Sequence, residues 1–246
     1  MTLLAVERIK LLTTRSPWWC AVIALALTVG FAGLIAASLP SGESLSVANT
    51  QAGHQFGIAV IMVLAALAVT TEYRFGTIRT TFQAVPKRGS VLVAKATIVA
   101  LLSFVIGEIG AFASWGLGYA IRPSDETALS SSADWIHVAG VGLVFAFAAV
   151  IAVAVGTLIR HSAGALSLLL IYVLAVENLV QLIPTVGPKI HEWLPFTVAE
   201  RFLGSSSGGP GAADAALSQW GSLAYFAGVA VVLLAIAIGV AKKRDA

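Results

Sequence analysis

The sequence predicts an all-α integral membrane protein with six transmembrane helices, and three observations lead there. Of its 246 residues 58% are hydrophobic and only 11% are charged, too few to surface a soluble domain of that size. Six segments stay apolar for about 20 residues, the length an α-helix needs to cross ~30 Å of hydrocarbon at ~1.5 Å per residue. The charges, finally, are clustered between those segments rather than spread along the chain.

The spans are expected at 18–38, 53–70, 94–121, 135–159, 163–183 and 219–241, so that 1–246 reads as a single transmembrane domain. If the N-terminus is cytoplasmic, the inner segments hold 12 of the 15 Lys and Arg residues: Arg8, Lys10, Arg15, Arg74, Arg79, Lys87, Arg88, Lys95, Arg160, Lys242, Lys243 and Arg244. Only Arg122, Lys189 and Arg201 fall outside. The positive-inside rule then puts both termini in the cytoplasm.

Residues 1–17 mix Leu3, Leu4, Ile9, Leu11 and Leu12 with Glu7, Arg8, Lys10 and Arg15, as an interfacial helix lying among headgroups would. Pro17 marks a bend, and Trp18 and Trp19 follow at the level of an aromatic belt. A cleaved signal peptide competes, but the apolar run is longer than a signal core, which favours a retained span. The lone cysteine, Cys20, excludes an intramolecular disulfide and reads as a small apolar residue of the first span.

The first outer loop, 39–52, reads as short and polar, and His54 and Gln55 behind it as interfacial polarity. The second outer loop, 122–134, is rich in Ser and acid and ends at an anchoring Trp135. Arg160, His161 and Ser162 form a tight inner turn that makes the fourth and fifth spans antiparallel neighbours. Before the last span, 184–205 carries Pro184, Pro188 and Pro195 with apolar residues recurring from Ile190 to Leu203. Short helices re-entering the outer leaflet, shielded by protein, suit that pattern better than a solvated loop.

Several motifs are absent or accidental. No G-x-x-x-x-G-K-[ST] occurs, so the chain has no phosphate-binding loop of its own. Gly204 to Gly208 formally matches G-x-S-x-G, but within a low-complexity run and with no strand before it. The four histidines are scattered, and His191-Glu192 lacks the second histidine of H-E-x-x-H, so neither a catalytic nor a metal site is expected. A net charge of +3 gives no reason to expect a nucleic-acid partner.

The most informative stretch is 71–95, an island of charge between two apolar runs. Thr71 to about Val85 reads as a cytoplasmic helix, apolar at Phe75, Ile78 and Phe82, basic at Arg74 and Arg79, and ended by Pro86. Two readings fit: a docking knob, or an interfacial helix holding lipid phosphates. The basic end, Pro86 to Lys95, reads mainly as topology and lipid contact.

The order Glu72, Gly76-Thr77, Arg79, Pro86, Arg88 and Lys95 resembles the signature after the second span in permease subunits of the ABC-2 family, the transmembrane subunits of bacterial type V ABC exporters. The likeness extends to the interfacial helix, the six spans and the broken outer segment with Trp193-Leu194-Pro195. It implies that 71–88 is a coupling segment seated in a cleft of a separate ABC-type ATPase, with Glu72, Tyr73, Arg74, Phe75, Gly76, Thr77 and Arg79 carrying the contact.

It implies also that a second permease, identical or homologous, completes the pore, and that ATP and Mg sit on the partner ATPase with no cofactor on this chain. The chain itself would then be a non-catalytic subunit. The resemblance further implies export of a small amphipathic or lipophilic compound across the bacterial cytoplasmic membrane.

Two acids lie inside spans, Glu108 and Glu177. A charged side chain at mid-bilayer costs ~2.5–3.5 kcal/mol on insertion scales, so each is expected to face protein or water, a little beyond the membrane middle. Glu108, Phe112, Trp115 and Tyr119 form one helical stripe beside a small-residue stripe of Gly107, Ala111, Ser114 and Gly118; Glu177, Asn178 and Gln181 cluster on the fifth span. Read as a substrate path, the acids favour a cationic or amphipathic substrate; read structurally, each is protonated or hydrogen-bonded between helices. An ion-coupled secondary transporter or channel that relays protons through Glu108 and Glu177 is the competing function, though no inverted repeat supports it.

Overall fold

Apolar runs of this length fold as helices because hydrocarbon offers no partner for a backbone N–H or C=O outside its own segment. A computed structural model of the chain describes residues 2–40, 43–85, 87–204 and 217–243, and all regular structure among them is helical. The expected helix-ending Pro86, the Gly/Ser run from residue 205 on and Arg244 lie outside the described residues.

Helix α1 (Leu3–Thr13) and α2 (Arg15–Ser38) are separated by the single extended residue Thr14. The bend therefore precedes Pro17, which sits in the first turn of α2, where a missing N–H costs nothing. Helices α3 (Val47–Thr50) and α4 (His54–Arg74) make up the second span, and the segment 39–52, expected to be a polar loop, contains α3 and buries Leu45 and Val47.

A separate α5 (Thr77–Ala84) precedes α6 (Arg88–Ile121), whose 34 residues start well before the expected span and extend roughly 51 Å, beyond the hydrocarbon thickness. Helix α7 (Ser132–Ile159) opens with a capping box in which Ser131 and Asp134 satisfy each other's backbone N–H groups. Arg160 ends it in the left-handed conformation (φ 57°), and the His161 ring accepts from the Gly164 N–H to cap α8 (Ser162–Ile171). A π-helical turn over Tyr172–Val176 and α9 (Glu177–Val180) complete a fifth span that ends three residues short of the expected 183. Two short helices, α10 (Gly187–His191) and α11 (Pro195–Phe202), lie between it and α12 (Gln219–Lys243).

Among the described residues six helices are thus long and apolar enough to cross a membrane, as a multi-pass membrane protein requires. Within the apolar windows of α7 and α4, 67% and 61% of residues are buried, against 22% for α2 and 17% for both the fifth span and α12. So α7 is the centre, packed against α4, α6, α8 and α12, while α2, α8–α9 and α12 form the outside. The small-residue stripe of α6 makes a close backbone contact: a methyl on Gly107 would lie 2.9 Å from the Gly142 Cα of α7. Gly107, Ala111, Ser114 and Gly118 are all buried, as their spacing predicts.

Candidate functional site

The apolar run of α4 ends in Glu72, Tyr73 and Arg74, which remain helical. Phe75 donates back to the Thr71 carbonyl, and Gly76 turns left-handed (φ 71°), the conformation glycine adopts at no steric cost. Helix α5 then starts at Thr77. The single helix expected from Thr71 to Val85 is therefore two, broken at Gly76. The break decides which side chains face out.

Ile78 and Phe82, one turn apart on α5, are buried with Val91 against Leu3, Tyr73 and Val85. Phe75 does not join them, because it precedes the break; it is 72% exposed, with the Arg74 guanidinium 5.5 Å from its ring centre. Arg74, Phe75, Thr77 and Arg79 thus form an exposed knob. Tyr73 turns inward beneath Arg160, whose guanidinium lies 5.1 Å from the ring centre.

Glu72 also turns inward. Its Oε1 accepts from Lys10 at 3.3 Å and from Lys95 at 3.0 Å, and the same two lysines donate to Glu7. Two carboxylates and two ammonium groups neutralise one another here, and the cluster ties α1, α4 and α6 together. Lys95 and Glu7 are each about 4% exposed, so Lys95 is no lipid contact, as its place among the basic residues suggested. Burial pulls the Lys10 ammonium down, but Glu72 and Glu7 together outweigh it and hold its pKa above the ordinary lysine value. Beside the cluster opens a cavity of about 490 Å³, walled by Leu64, Leu67, Ala68 and Ile98 and reaching Phe75.

The intramembrane polar residues do not converge. Glu108 lies against Gly142, where an added methyl would fall on its carboxylate, and its Oε1 has no hydrogen-bond partner among the described residues. Trp115 donates to the Thr127 carbonyl at 2.9 Å and stacks on Tyr119, and Phe112 leans on Trp135; both Phe112 and Tyr119 are exposed. The aromatic part of the stripe thus faces the outer loop and the surface rather than Glu177.

Glu177 is almost fully buried at the far end of its span, not near the middle. Its two oxygens accept from the Phe196 N–H at 3.1 Å and the Thr197 N–H at 2.8 Å, with the Thr197 hydroxyl at 3.1 Å. It caps α11, where a carboxylate meets both free N–H groups and the positive end of the helix. The π-helical turn immediately before Glu177 shifts the helical register at this point. Asn178 and Gln181 are exposed, and Asn178 donates to the Leu174 carbonyl of its own span.

Two further polar anchors went unread in the sequence. His54 is buried, with Nδ1 2.6 Å from the Gln51 carbonyl and Nε2 2.6 Å from Glu200 of α11, so it is a bridge rather than interfacial polarity. Arg122 donates to the carbonyls of Ala36, Leu39 and Pro40, closing the C-terminal end of α2. Lys95, embedded in an apolar run, did carry a visible signal, since a charge there demands a partner.

Neither the protein families nor the curated proteins compared with this chain contain a match.

Proposed function

We propose that the chain is the transmembrane permease subunit of an ATP-driven transporter, driven through the knob at Arg74, Phe75, Thr77 and Arg79 by a separate ABC-type ATPase. One observation carries the reading: a large aromatic and two cations stand exposed at a glycine break, directly above a buried ion cluster that joins three helices. Phe75 is 72% exposed, and an exposed aromatic flanked by arginines is the residue combination that protein interfaces are enriched in. Behind it, Glu72, Lys10, Lys95 and Glu7 make α1, α4 and α6 respond together to force on α5. Such a unit suits rigid-body tilting of the spans.

In this reading Glu72 and Tyr73 support the knob from within and do not touch the ATPase. Helix α1 lies in the headgroup layer, both termini are cytoplasmic, and α10 and α11 re-enter the outer leaflet of a bacterial cytoplasmic membrane. A second permease covers the exposed faces of the outer helices, ATP and Mg are held by the ATPase, and the cargo is a small amphipathic or lipophilic compound moved outward. The ion-coupled alternative is weakened because one of its two acids, Glu177, is engaged in capping α11.

Co-purification with an ABC-type ATPase encoded beside this chain tests the proposal. Phe75→Asp with Arg79→Glu abolishes the association and leaves the permease folded, because both side chains are exposed. An association that survives both changes, or transport by the chain alone, overturns the reading.

A further inference from the structure

The cavity beside the ion cluster has a polar end and an apolar end. Its volume, about 490 Å³, lies within the roughly 300–1,000 Å³ of small-molecule sites. Along α4 it runs from Glu72 and Thr71 to Leu64, roughly 12 Å of helix, and Lys95 and Ile98 of α6 repeat the same gradient. Leu11 of α1 and Pro17 of α2 extend the apolar wall, and Thr14, the extended residue between those two helices, lines the cavity from an exposed position. An amphipath fits such a gradient, and the polar end selects its head.

Charge is excluded first. The charged groups lining the cavity among the described residues are two carboxylates, Glu7 and Glu72, and two ammonium groups, Lys10 and Lys95, already paired with one another. The Lys10 ammonium donates to Glu7 at 3.2 Å, Glu72 at 3.3 Å and the Thr81 hydroxyl at 3.2 Å, one contact for each of its protons. An anion would meet the two glutamates and a cation the two lysines, so either would lose its hydration for no net attraction. The head is uncharged.

Hydrogen bonding then gives its polarity. Thr13, Thr14 and Thr71 all line the cavity, and each hydroxyl donates to a carbonyl of the preceding turn: Ile9 at 2.7 Å, Leu11 at 3.0 Å and Leu67 at 2.6 Å. A hydroxyl has one proton and two lone pairs, so all three are left as acceptors. What they can still take is a donor.

We infer that this cavity binds a single-chain amphipath with an uncharged hydroxyl head, as in a fatty alcohol or a monoacylglycerol. The head donates to the threonine oxygens, and the chain lies between Leu67 and Ile98. The site is built by one chain and depends on no ATPase.

The test uses the full chain in nanodiscs of dioleoylphosphatidylcholine, a lipid whose headgroup donates no hydrogen bond, with a dodecanol carrying a mid-chain diazirine as photolabel. Label mapped by peptide mass spectrometry falls beside Leu67 and Ile98, with the exposed face of α12, open to any probe dissolved in the membrane, as the internal reference. Unlabelled dodecanol suppresses the cavity label relative to that reference. Dodecyl methyl ether, which cannot donate, and the charged dodecylammonium and dodecanesulfonate do not. Thr71→Val weakens competition by dodecanol about fivefold, the worth of one neutral hydrogen bond, and Thr71→Ser keeps it, which separates a lost acceptor from a lost fold. No label above the reference in the cavity, competition by the ether or by either ion equal to that of the alcohol, an unchanged Thr71→Val, or a Thr71→Ser that fails to bind each overturns the site.

Discussion

Single residues here act mainly as fasteners between helices distant in sequence. Glu177 is the clearest: it accepts from two backbone N–H groups and a hydroxyl of α11. Glu177→Gln retains one acceptor oxygen and loses the charge at the helix end, so we expect a loss of about 1–3 kcal/mol. In a chain of this length that lowers Tm by roughly 2–4 °C per kcal/mol, readable by thermal unfolding in detergent. Unchanged Tm together with lost transport overturns the capping role and restores Glu177 to the substrate path.

Lys10 makes a pH prediction at the same scale. Its folded-state pKa stands above that of the unfolded chain, so its contribution is fully present below the ordinary lysine value of 10.5 and is lost as pH rises through the folded one. Thermal stability followed into that alkaline range falls more steeply in the parent protein than in Lys10→Met. Equal slopes mean that the ion cluster does not hold Lys10 in solution.

Among the elements, the break between α4 and α5 matters most. Gly76 has a positive φ and open space around its missing side chain, so a substitution meets conformational strain and no collision. Gly76→Ala therefore costs about 1–2 kcal/mol, and Gly76→Asn less, because Asn visits the left-handed region more readily. Equal Tm values for Gly76→Ala and the parent in chemical or thermal melts would show that the break relaxes. This break is also why the sequence reading of the coupling segment was half right. Phe75, Ile78 and Phe82 were legible as the apolar positions of the segment, but that Ile78 and Phe82 pack inward while Phe75 stays exposed follows from the break at Gly76, which the sequence reading did not place.

For the whole molecule, the uneven burial of the spans is the guiding fact. With α7 and α4 enclosed and α2, α8–α9 and α12 largely bare, the chain presents wide apolar faces to lipid or to another copy. Under the proposed function one of those faces belongs to a second permease. Light scattering of the purified complex then gives two permeases with two ATPases; a single permease in a transport-competent complex contradicts that assembly.

The sequence by itself determined that six apolar stretches among the described residues become long helices, since each must satisfy its backbone within its own apolar run. It determined the helix-facing role of the small stripe on α6 for the same local reason, because residues four apart share a face whatever surrounds them. Tertiary structure alone decided what each polar group does. Helical periodicity relates the residues of one span to each other, but the rotation of that span against its neighbours is set by packing, and the partners lie far away in the chain. Glu7 meets Lys95 across 88 positions and His54 meets Glu200 across 146. For that reason Glu72 read as an outward contact and proved to be an inward anchor, while Phe75 beside it was left exposed once the helix broke at Gly76.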